Sequence, residues 1–67
     1  MYQVVAIIHG EQIAANKRFS SWKKINRYIS DLLETYECQI QEEYDGINGH
    51  ELVASYNTRF YVNPVSK

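Results

Sequence analysis

The chain holds one cysteine, Cys38, one proline, Pro64, and three glycines in 67 residues. A lone cysteine excludes an internal disulfide, so the fold must rest on packing, by itself or with a second copy or a partner. Long hydrophobic runs are missing too. The longest, "VVAII" from Val4 to Ile8, is far too short to span a bilayer and lacks the basic lead and cleavage site of a secretion signal. The chain therefore reads as an intracellular, cytoplasmic protein without a membrane partner. The glycines make no phosphate-binding loop, because neither "HGEQ" nor "DGING" leads from a strand into a helix. No internal repeat, linker or low-complexity stretch is present.

Signals for chemistry are equally sparse. Nucleophilic catalysis would need Cys38 with His9 or His50 as its base, yet Cys38 opens an alternating segment and reads as a small buried hydrophobe. The two histidines and the cysteine lie far apart, without the short spacings of a structural zinc site. Glu42, Glu43 and Asp45 do not follow a calcium-loop pattern. The expectation is a non-enzymatic protein with no catalytic residue, metal or cofactor.

What is present is a small globular domain, residues 1–67, with 45% hydrophobic and 22% charged residues, close to the lower size limit for a self-sufficient core. "YQVVAIIH" is short and β-branched, which favours a strand, and Gly10 turns it into a second strand over Gln12 to Lys17. In "SWKKINRYISDLLETYE" the residues Trp22, Ile25, Ile29, Leu32, Leu33 and Tyr36 form one apolar stripe at helical spacing, with Ser20 or Ser21 as the cap. "CQIQEEY" alternates as a third strand and "DGING" makes a hairpin loop. From Leu52 the chain alternates to Val62, either as one long strand bulged near Asn57-Thr58 or as two strands split by a turn there; Pro64 ends it. The expected fold is α+β: a four-stranded antiparallel sheet, ordered β-β-α-β-β, with one amphipathic helix on one face. In that arrangement the helix stripe faces Leu52, Ala54, Tyr56 and Phe60. The other face keeps Val5, Ile7, Val53 and Tyr61, which suggests a homodimer or a protein partner through the uncovered sheet.

The charges are segregated. Residues 1–30 carry five bases and one acid, and residues 31–51 carry seven acids and no Lys or Arg. Within the helix this order is unfavourable, because a helix dipole prefers anions at its start and cations at its end, each worth about 0.3–1 kcal/mol at exposed sites. Arg27 and Asp31 are spaced for an i,i+4 pair, in the weaker order of signs. Such a pattern makes sense if the charges face something else. One reading places a partner-binding edge on Asp31, Glu34, Glu37, Glu42, Glu43, Asp45 and Tyr44, attracted to a basic protein surface, including one built for nucleic acid. Six tyrosines in the chain fit an interface, since tyrosine gives rigid area with a polar tip. The alternative reading is a nucleic-acid binder using Lys17, Arg18, Lys23, Lys24 and Arg27 around the helix start.

The hairpin "YQVVAIIHGEQIAA", the lone helix and the terminal "HELVASYNTRFYV" together make a format that resembles small phage-encoded inhibitors of host machinery, anti-CRISPR proteins in particular. The resemblance is one of architecture and charge, without a shared motif. It implies a single α/β domain without cofactor or catalytic site that plugs a nucleic-acid-binding surface of a host complex such as a CRISPR effector. It assigns no residue a role.

Overall fold

His9 and Gly10 both take positive φ, 54° and 81°, as the two central residues of a type I′ turn must. They join β1 (Tyr2–Ile8) to β2 (Glu11–Phe19). In the computed structural model, which describes residues 1–46 and 49–65 and not the side chains at 15 and 16, the remaining elements are α1 (Trp22–Thr35), β3 (Glu42–Gly46), β4 (Gly49–Ser55) and β5 (Thr58–Pro64). The five strands form one antiparallel sheet in the order β2-β1-β5-β4-β3, with α1 on one face. The fold is α+β, as the sequence suggests, but with five strands rather than four.

The additional strand comes from a turn at Tyr56-Asn57, after which Ser55 pairs with Thr58. The split stands one residue before the expected Asn57-Thr58 position. It also moves Tyr56 out of the core: at the tip of the turn its side chain is 87% exposed. The register slips by one residue between Val53 and Ser55, and this irregularity keeps the even-numbered positions of both strands together, so Leu52, Ala54, Thr58, Phe60 and Val62 still share the helix-side face. The two turns brace one another. Gly10 N–H donates to the Asn57 carbonyl at 2.9 Å, and His9 N–H donates to the buried Thr58 hydroxyl at 3.3 Å.

The third strand is displaced as well. It begins at Glu42, not Cys38, because the helix end consumes the residues between. Glu37 N–H donates to the Glu34 carbonyl and Cys38 N–H reaches back to the Leu33 carbonyl at 2.8 Å, the two bonds of a Schellman cap. Cys38 is thus half-buried in a capping loop, its thiol donating to the Tyr36 carbonyl at 3.4 Å, rather than a core residue of a strand. The tip expected within "DGING" falls on Ile47 and Asn48, outside the described residues; Asp45 and Gly46 belong to β3, and Gly49 opens β4.

The Schellman cap demands a left-handed residue, and Glu37 occupies that position with φ 56°. A Cβ-bearing residue there is strained by about 1–2 kcal/mol, and its carboxylate adds charge to the negative end of the helix. Glu37→Gly should therefore stabilise the domain by roughly 0.5–1 kcal/mol after the entropy of glycine is subtracted. The check is a higher urea midpoint at unchanged slope. A lower midpoint would show that Glu37 makes a stabilising contact.

The core is a single cluster: Val4, Ala6 and Ile8 from β1, Phe60 and Val62 from β5, and Ile25 and Ile29 from α1. Leu32 and Leu33 are only half-buried at its margin. Val5, Ile7, Val53 and Tyr61 point to the opposite face, where no described element covers them.

Candidate functional site

Ring contacts fix where the helix lies. Trp22 meets Tyr2 at 5.6 Å between centroids, Phe19 meets Tyr28 at 5.2 Å, and Tyr36 meets His9 at 5.8 Å. Hence α1 runs alongside β1 in the same direction and leans toward β2. The helix-side face of β4 and β3 is left partly uncovered. A cleft of about 650 Å³ opens there, with Trp22, Ile29, Leu33, Ile40 and Leu52 as its apolar floor and walls and Asn26, Ser30, Glu43, Asp45 and His50 as its polar rim.

His50 and Asp45 are register partners across the β3–β4 hairpin. The His50 Nδ1 atom faces the Asp45 carboxylate, and the ring stands edge-on to Trp22 at 4.8 Å and 87°. Thus one end of the cleft is closed by an Asp–His–Trp contact chain tying the hairpin to the start of α1. Nothing in the sequence marks His50 as special by itself. The signal was nonetheless available: Asp45 and His50 flank the "GING" turn symmetrically, and antiparallel pairing then puts them on one face.

The strand β3 is the free edge of the sheet on this side, and all five of its residues are exposed. Alternation sends Glu43 and Asp45 toward the cleft and Glu42 and Tyr44 to the opposite sheet face. There the Tyr44 hydroxyl donates to Glu42 Oε1 at 2.8 Å. That hydrogen bond, then the Glu42 charge itself, raises the Tyr44 pKa above its ordinary value. Beside them Arg59 Nη1 reaches Glu51 Oε2 at 3.2 Å.

The remaining candidate residues point in several directions. Asp31 and Glu34 are exposed on the outward side of α1, and Glu37 sits in its C-terminal cap. Lys23, Lys24 and Arg27 line one shared surface at the start of α1. Lys17 sets its ammonium 5.4 Å from the centre of the Tyr28 ring on the same helix, whereas Arg18 pairs with Gln3 and so points to the uncovered sheet face. The five bases do not form one patch. Among the described residues Arg59 and Glu51 form an ion pair and His50 contacts Asp45, whereas Arg27 and Asp31 do not pair. The first helical turn holds no acid and the last no base, so the anti-dipole pattern is uncompensated apart from the Ser21 cap, whose Oγ accepts from Lys24 N–H at 3.4 Å.

No group of three His, Cys, Asp or Glu among the described residues is placed to hold a metal ion, and no described helix is long and apolar enough to cross a membrane. Comparison with protein family models, with curated proteins and with solved structures finds no match to this chain.

Proposed function

We propose that this protein acts by binding another protein, as a small inhibitor or adaptor that presents the acidic β3 edge to a basic surface. The observation that carries the reading is the exposure of Glu42, Glu43 and Asp45 on both faces of a free edge strand. Acids placed this way present negative charge to whatever approaches the edge. A basic surface evolved to hold nucleic acid is the natural complement, and a host defence complex such as a CRISPR effector, opposed by a phage or mobile element, is the setting the format suggests. Glu34 and Glu37 add exposed negative charge near the helix end, and the half-buried Val5, Ile7, Val53 and Tyr61 supply a second area for a partner or a second copy.

The test is to capture partners from candidate host lysate, identify them by mass spectrometry, and measure association with the isolated target. Replacing Glu42, Glu43 and Asp45 by their amides keeps size and removes charge. Folding stability should change by no more than about half a kcal/mol for each exposed site. The association rate should fall at least tenfold, and added salt should slow the wild type in the same way, because complementary fields chiefly accelerate encounter. A normally folded triple-amide protein that associates at the wild-type rate would remove the acidic edge from the interface.

The shared surface of Lys23, Lys24 and Arg27 at a helix N-terminus supports a second reading, direct nucleic-acid binding. In that case the wild type binds DNA or RNA at physiological salt and the triple glutamine variant of these bases does not. Loss of a steep salt dependence would accompany it.

A further inference from the structure

The two edges of the sheet are built differently. On the β2 edge the register with β1 slips twice, between Val4 and Ala6 and between Ala6 and Ile7, and the strand carries Lys17 and Arg18 before its last residue, Phe19. Bulges and cationic side chains are the usual means of keeping an edge from pairing with another chain. The β3 edge has neither. Its five residues pair with β4 in unbroken register, without lysine, proline or bulge. Outward-facing backbone N–H and C=O groups are therefore presented in a regular row about 17 Å long at roughly 3.3 Å per residue, with the open cleft beside it.

We infer that β3 receives an extended, basic segment of a partner protein by strand addition, with an apolar side chain of that segment entering the cleft against Ile40 and Leu52. The inference rests on the partner-binding reading and names its mode. Charge selects the occupant: on either face an added strand meets an acid, Glu42 on one side and Glu43 and Asp45 on the other, so cross-strand lysine or arginine is favoured on both. The same acids repel a second β3, which disfavours pairing of two copies through this edge, and the slipped register of β2 makes it a poor template for the β3 of another copy. Main-chain hydrogen bonds would provide the docking, and the cleft the preference for one apolar side chain.

The probe is the blocked hexapeptide Arg-Lys-Val-Lys-Arg-Lys, compared with the same peptide N-methylated at alternate residues, which keeps charge and side chains while removing ladder donors. The full-length protein should bind the unmodified peptide at least tenfold more tightly than the methylated one. NMR should show slowed amide exchange confined to residues 42–46 and backbone cross-peaks between them and the peptide. Equal binding of both peptides would overturn strand addition while leaving the acidic edge as an electrostatic docking surface. Absence of binding by either would also overturn it, and the association rate of the triple-amide protein would still decide the broader reading. A protein that sediments alone as a dimer with its β3 amides already protected would assign the edge to a second copy, which overturns the inference too.

Discussion

Phe60→Ala is expected to leave the domain largely unfolded under conditions where the wild type is native. Phe60 is fully buried and is the largest of the fully buried side chains. It stands at the centre of the sheet on β5, between β1 and β4, where Ile25 and Ile29 of α1 pack over the same cluster. Truncating a buried phenylalanine costs about 3–5 kcal/mol, because transfer energy and packing are both lost and the cavity collapses only in part. A chain of this length has a total stability of roughly 3–10 kcal/mol at 0.05–0.15 kcal/mol per residue. No disulfide limits the unfolded state. The matched control is Tyr56→Ala, at a tyrosine left 87% exposed by the β4–β5 turn, where a change within about 0.5 kcal/mol is expected. Urea denaturation of the two variants separates these outcomes. A loss below about 1 kcal/mol for Phe60→Ala would mean that α1 does not pack over β5.

Gly49→Ala should damage the site as well as the fold. Gly49 adopts φ 142°, and an added Cβ would press on the Val62 carbonyl oxygen and stand 2.5 Å from Asn63 Oδ1. Both obstacles lie on β5, so the start of β4 must move away from its neighbour. Backbone strain and displacement together should cost roughly 2–4 kcal/mol. Gly10→Ala isolates the conformational part, since φ is 81° there with nothing within 4 Å of the added atom, and about 1–2 kcal/mol is expected. Because His50 follows Gly49 directly, the shift should also loosen its contacts with Asp45 and Trp22. Altered Trp22 fluorescence in Gly49→Ala, absent in Gly10→Ala, reports that displacement. Equal stability losses in the two variants would show that the close approach to β5 is not rigid.

Much of this architecture is written locally. Alternation and β-branching mark β1 and β5, the Ile25/Ile29 spacing marks the buried stripe of α1, and Gly10 marks a turn, because each of these signals acts within a few residues. The failures share a cause. Cys38 to Gln41 alternate like a strand, yet the Schellman bonds to Leu33 and Glu34 take the first of them into the helix cap. Tyr56 has the period of a core residue, yet the turn that splits β4 from β5 carries it into solvent. In both places local periodicity is overridden by hydrogen bonds whose partners are chosen by the chain around them.

The candidate site divides in the same way. Its acidic character is legible in the sequence alone, since residues 31–51 carry seven acids and no Lys or Arg. Only the tertiary structure decides that β3 is an edge, that Glu43 and Asp45 turn toward a cleft while Glu42 and Tyr44 turn away, and that Arg18 turns to the sheet face away from the helix. Strand order and register are set by which apolar faces can be buried together under one helix. That is a property of the whole chain, and no short stretch of it carries the answer.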